Sequence, residues 1–258
     1  MSHIHIPDGV LPLWLVLAGW LLTVLLLGLS MRRVGGQRAN RLPLLGVMVA
    51  LMIVAMNVEI APIAYHINLA VLTGVMLGPA LGLLAAFLVN LMLALMGHGG
   101  VTVVGLNTLL LGTEVVAGWA LFRIFARFIP GTGWAAAVAT WISLFVSTLA
   151  MIGIVALSSV DLGPLTPHGA LEPETLQFRD PFGEGILRIE LGRAGHEGVP
   201  RVDLWTFARV VVLLGAIGWT LEAFVTGVIA AYLQRVAPHL MAGGAVSTDA
   251  KGGSSPVS

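Results

Sequence analysis

Apolar stretches about as long as a bilayer is thick recur from Leu11 to Leu233, and they leave this chain few ways to fold. A hydrocarbon core of about 30 Å is crossed by roughly 20 helical residues, whose backbone groups bond within the helix and need no water. Spans are expected at about Leu11 to Leu29, Leu42 to Val58, Val104 to Phe125, Trp134 to Ala156 and Phe207 to Leu233. The run from Ile67 to Met96 is too long for one untilted helix, and Leu77-Gly-Pro-Ala80 interrupts it, so it reads as two segments meeting at Pro79, the first of them short. Composition agrees: 57% of the residues are hydrophobic and 10% charged, with a mean hydropathy of +0.96, whereas a soluble domain carries about 25% charged residues. The expected fold class is all-α, a polytopic transmembrane helical bundle of about seven membrane segments, or about six if the Pro79 break does not make two crossings.

Charge sets the orientation. The densest positive cluster, Met31-Arg-Arg-Val-Gly-Gly-Gln-Arg-Ala-Asn-Arg41, is expected in the cytoplasm, which places the N-terminus outside. With the larger count Arg32, Arg33, Arg38, Arg41, Arg123, Arg127, Arg235 and Lys251 all fall inside; with the smaller one the C-terminal part inverts. Residues 160–204, rich in Pro, Gly and Glu, then form an outer lid or small ordered loop. Residues 1–240 are expected to make one transmembrane domain and 241–258, of small-residue composition, a disordered tail. The first residues carry His and Asp rather than Lys or Arg, so they read as mature structure and not as a cleaved signal. The expected location is the inner (plasma) membrane.

Several function classes drop out. A formal net charge of +0 argues against nucleic acid. The absence of cysteine excludes disulfides, thiolate zinc sites and iron–sulfur clusters, so any metal must use nitrogen or oxygen ligands. Lys251 is the only lysine and lies in the tail, so no Gly-x-x-x-x-Gly-Lys-Ser/Thr phosphate loop exists. His-Glu-x-x-His and Gly-x-Ser-x-Gly are absent too, which speaks against a membrane metalloenzyme. No enzymatic activity is expected, and no resident cofactor.

Histidines carry what chemistry remains. With the N-terminus outside and seven segments, positions 3, 5, 66, 98, 168 and 196 face outward and His239 inward. His168 and His196, in the polar loop, read as solvated side chains. His3 differs, because it lies close enough to the chain start to chelate with the terminal amine. If Met1 is removed, the amine of Ser2, the deprotonated amide of His3 and its Nδ1 form fused rings, leaving one square-planar position for His66 or His5. If Met1 is retained, His3 is the third residue, and the amine, two amides and the imidazole close the plane alone. A four-nitrogen plane suits Ni²⁺ or Cu²⁺ and is accessible to Co²⁺. The alternatives are a frayed N-terminus and a His66 that is merely hydrogen-bonded at a helix start.

Asn68 is a candidate partner for His66, His98 in Gly97-His98-Gly99-Gly100 sits at an outer turn, and Asn107 opens the next span; these three are candidate second-shell or gating residues. Glu59, Glu114, Glu222 and Asn90 are the other polar groups in or near apolar segments, expected mostly as packing glue, with pairing to Arg or the lining of a cavity as the alternatives.

Taken together, His5-Ile-Pro-Asp-Gly9, Tyr65-His-Ile-Asn68 with Gly78-Pro79, Gly97-His-Gly-Gly-Val-Thr102, Gly105-Leu-Asn-Thr108 and Glu222-Ala-Phe-Val-Thr226 resemble the CbiM/NikM family, the substrate-capturing membrane subunits of energy-coupling factor transporters for cobalt and nickel. The resemblance covers most of the chain up to about Pro238. It implies a helical bundle whose N-terminal segment tucks into the outer face and binds Co²⁺ or Ni²⁺ as substrate through the terminal amine, an amide, a histidine and the imidazole at His66. It also implies a transmembrane coupling subunit (CbiQ/NikQ-like), ATPase subunits (CbiO/NikO-like) and a small accessory membrane subunit (CbiN/NikN-like). One departure stands out: in the family the histidine follows the initiator Met, whereas aligning Ile-Pro-Asp-Gly puts His5 there, behind Ser2, His3 and Ile4. His3 taking the family role, with His5 as an additional ligand, is the preferred assignment; a rearranged site is the alternative. A secondary metal transporter or channel acting alone is the rival function, with Glu114 and Glu222 as its only acidic mid-membrane candidates.

Overall fold

The structure is a computed structural model, and it describes residues 11–34, 38–58, 66–97, 99–158, 176–178, 187–189 and 204–241. Six long helices dominate: α1 (Leu13–Val34), α2 (Arg38–Asn57), α3 (Ala70–Leu95), α4 (Val104–Phe125), α5 (Thr132–Ser158) and α6 (Leu204–Val236), followed by the single turn α7 (Pro238–Met241). Strands β1 (Leu176–Phe178) and β2 (Leu187–Ile189) form a small antiparallel pair with Leu176 opposite Ile189. It lies in the segment expected to form an outer loop and leaves the fold all-helical in character.

Among the described residues five helices are long and apolar enough to cross a membrane, and the 41–57 part of α2 is a shorter apolar helix. Pro43 lies inside α2, in its second turn, where it supplies no backbone N–H to the intrahelical ladder. Apolar side chains such as Leu17, Leu21, Val24 and Leu25 cover the outside of α1, as expected where lipid replaces water. α3 is instead buried along most of its length, from Ala70 to Ala94. It is the axis around which the others pack.

α3 is not straight. Gly78 has φ 79 and ψ 173, a conformation open in practice only to glycine, and Pro79 follows it and restarts the helix. The Cα of Gly74 lies 3.5 Å from where a Cβ on Gly82 would sit, while in a straight helix residues eight apart are separated by about 12 Å. The 70–77 and 79–95 arms therefore fold sharply on each other, which is the two-segment reading of the Pro79 break. The first arm rises only about 12 Å against a core of about 30 Å. It is a buried half-helix beside α4, where Val71 packs on Gly118 and Gly74 on the Val115 carbonyl.

Small residues set the remaining crossings. α1 meets α4 where a Cβ on Gly105 would fall 2.8 Å from the Trp20 nitrogen. There the Trp20 indole donates to the Thr102 carbonyl at 2.6 Å and the Thr23 hydroxyl to the Gly105 carbonyl at 2.8 Å. α5 meets α6 at Gly133 and Gly227, and Trp141, Phe145 and Trp219 interlock above that crossing with ring centroids 5.6 to 6.2 Å apart.

Candidate metal site

His66, Ile67, Asn68 and Leu69 lead into α3 without belonging to it. An ordinary helix would begin earlier, so something must hold this stretch open. Part of the reason is Leu69, whose φ of 58 and ψ of 19 put a non-glycine residue in the left-handed region, at a cost of about 1–2 kcal/mol. The rest is Asn68. Its Oδ1 accepts from the Ala70 N–H at 2.6 Å, its Nδ2 donates to Glu114 Oε2 at 2.5 Å, and its own N–H donates to Glu222 Oε1 at 3.4 Å. Asn68 and Glu222 are fully buried and Glu114 is 2% exposed.

Depth follows from these partners. Glu114 is at the middle of α4 and Glu222 lies well inside α6, so the non-helical stretch reaches the centre of the bundle at Asn68 and does not stop at its rim. Irregular backbone at such depth is tolerated where protein covers it. Ser147 of α5 completes the surroundings, its hydroxyl reaching both the Leu110 carbonyl at 3.3 Å and the Glu114 carboxylate. His66 itself is partly buried. Its Nδ1 is a buried atom that takes no hydrogen bond, while the residue has other interactions.

Of the residues singled out from sequence, Ser2, His3, His5 and His98 lie outside the described residues. The structure places His66 and Asn68 on one non-helical stretch, and Asn107 in the buried first turn of α4. Among the described residues no group of three His, Cys, Asp or Glu is close enough to hold a metal, so a site at His66 would draw further such donors from outside the described residues. Glu114 and Glu222, expected to act as packing glue, to pair with Arg or to line a cavity, are both brought to Asn68 by the structure. Ser147 is not among the residues the sequence singles out, and its signal there is the Thr140, Ser143, Ser147 spacing that puts three hydroxyls on one buried face of α5.

The family described as the cobalt uptake substrate-specific transmembrane region, CbiM, matches residues 5–240. The chain belongs to the CbiM family. It is thus a multi-pass membrane protein of a metal-transport family. It is 35% identical over 162 residues to a candidate metal transport protein of Haloquadratum walsbyi, covering 60% of this chain and 73% of that protein. It is 30% identical over 171 residues to a candidate fused nickel transport protein, NikMN, of Archaeoglobus fulgidus, covering 64% of this chain and 54% of the relative, so this chain spans about half of that longer protein. Two crystal structures, titled as a transition metal transporter and a truncated one, share the fold with TM-scores of 0.67 and 0.66 at 19% and 18% identity. Each covers 90% of this chain, and the matches take in 93% and 99% of those chains.

Proposed function

We propose that this chain is the ion-capturing membrane subunit of an ATP-driven energy-coupling factor importer for Co²⁺ or Ni²⁺. Family membership supplies the class. The observation that supports this chain's part in it is the placement of the partly buried His66 on a non-helical stretch that Asn68 anchors at the centre of the bundle, where an N-terminal segment entering from outside would meet it. The proposed ligands are the amine of Ser2, the amide and Nδ1 of His3, and His66, with His5 as an additional donor. Such nitrogen ligands suit both ions, with Ni²⁺ favoured by the usual divalent order. Energy must come from elsewhere, because the only lysine lies in the tail and no phosphate-binding loop is present. Coupling and ATPase subunits, with a small accessory membrane protein, fill that role in this reading.

The test is a Ni²⁺ and Co²⁺ titration of purified protein with an untagged N-terminus, followed by visible absorption. A yellow, near-stoichiometric Ni²⁺ complex is expected; no binding of either ion would count against capture by this subunit alone. The burial of Glu114 and Glu222 at the bundle centre favours one rival, a secondary transporter that couples ions through mid-membrane carboxylates. Metal uptake into vesicles holding this chain alone, without ATP, would decide for it.

A further inference from the structure

We infer that Glu114 and Glu222 are positioning residues for metal capture: from two different helices they clamp Asn68, and through it fix the depth and direction of His66 two residues earlier. The inference rests on the reading of His66 as a ligand. Both carboxylates grip the same residue, Glu114 through the Asn68 side chain and Glu222 through its backbone N–H. The third contact, from the Ala70 N–H to Asn68 Oδ1, turns the side chain so that its amide points away from α3 and toward α4.

Ordinary packing glue would join helix to helix. These carboxylates hold a stretch that is not helical, immediately before a left-handed Leu69. Without acceptors at Glu114 and Glu222, the buried Asn68 amide and N–H would lose these two hydrogen bonds, and the stretch would be freer to wind into α3 or to leave the bundle. Either change moves His66. Carboxylates at membrane depth are costly enough that they are seldom kept for packing alone, and groups that orient a metal ligand usually govern affinity strongly.

The experiment uses the full chain with its native N-terminus and the variants Glu114→Ala, Glu222→Ala, Glu114→Gln, Asn68→Ala and His66→Ala. Readouts are Ni²⁺ affinity, thermal stability, and hydrogen exchange of the Asn68 and Ala70 amides in metal-free protein. Glu114→Ala is expected to weaken Ni²⁺ binding about 10–100-fold and to speed exchange at both amides. Glu114→Gln, which keeps an acceptor oxygen, is expected to recover most of the affinity. The Asn68→Ala/Glu114→Ala double variant is expected to bind no more weakly than the worse single, because both remove one clamp. Unchanged affinity in folded Glu114→Ala and Glu222→Ala proteins, or losses that simply add in the double variant, would overturn the inference. If Glu114→Ala does not accumulate, Asn68→Ala leaves both carboxylates in place and carries the same readouts. A His66→Ala protein that binds Ni²⁺ like the parent overturns the ligand reading and with it the link to capture; amide exchange in Glu114→Ala then decides the clamp separately, faster exchange upholding it and unchanged exchange overturning it.

Discussion

Gly74 and Gly82, on opposite arms of α3, are in contact: the Cα of the first is 3.5 Å from where the second would carry a Cβ. The contact exists because Gly78 adopts φ 79 and ψ 173 between them. It brings both arms against Val115 of α4, whose carbonyl faces Gly74 and whose side chain faces Gly82. The 70–77 arm follows directly on Asn68 and Leu69, so the angle of this fold sets the direction in which the stretch carrying His66 meets α3.

Gly78→Ala is therefore expected to destabilise the protein by about 1–3 kcal/mol, the cost of placing a side chain in that backbone region. A lowered melting temperature in detergent, with Ni²⁺ affinity reduced alongside it, is the expected outcome. An unchanged melting temperature would mean that the two arms do not fold on each other.

Glycines at helix crossings should separate from glycines facing open space. A Cβ on Gly133 would fall 2.8 Å from the Gly227 carbonyl oxygen, and one on Gly227 would fall 2.9 Å from that of Gly133; both contacts are with backbone and cannot yield by a rotamer change. Either glycine changed to alanine should lower stability by about 1–3 kcal/mol, the usual cost of overpacking. Gly153 has nothing within 4 Å, so Gly153→Ala should be neutral or stabilising by up to about 1 kcal/mol through helix propensity. Thermal melts of the three variants side by side check the contrast.

Much of this architecture was legible from residue patterns, and the reasons differ by element. The spans announce themselves because lipid demands long uninterrupted apolar helices, and the Pro79 break announces itself because proline cannot continue one. The depth of His66 was not legible. Sequence places it at the end of an apolar run, which reads as a membrane surface, and only the reach of Asn68 to Glu114 and Glu222, 46 and 154 residues away, brings the stretch inward. Nothing local in the sequence encodes those pairings. The two carboxylates were visible as costly intramembrane charges, yet their partner was not, because an asparagine beside a helix start looks like an ordinary cap.

Proton competition gives a third prediction. Imidazole and amine nitrogens must be deprotonated before they bind a metal, and an ordinary imidazole titrates near about 6.5. Protonation acts on the metal-free state, so affinity is expected to be highest above that range and to fall as pH is lowered through it. Two imidazoles, an amine and an amide that loses its proton on binding should make the fall steeper than that for one proton. Ni²⁺ titrations from pH 8 to 5 check this, and a flat profile would exclude a nitrogen site.

The N-terminal assignment is decided by separating His3 from His5. If the chelate uses the amine of Ser2, the amide of His3 and its Nδ1, then His3→Ala removes an imidazole whose fused ring depends on its distance from the amine, and no neighbouring residue can replace it. His5→Ala leaves both rings intact and removes at most an additional donor. His3→Ala is therefore expected to abolish the yellow Ni²⁺ species, whereas His5→Ala retains it with a modest loss of affinity. Acetylating the terminal amine should act like His3→Ala, since an amide nitrogen replaces the amine donor. The reverse pattern, with His5→Ala abolishing the complex and acetylation without effect, would assign the site to the position that aligns with the family's histidine and would mean a ligand set that does not use the amine. Intact-mass analysis of the same samples shows whether Met1 is present, so each spectrum is assigned to a chain of known start.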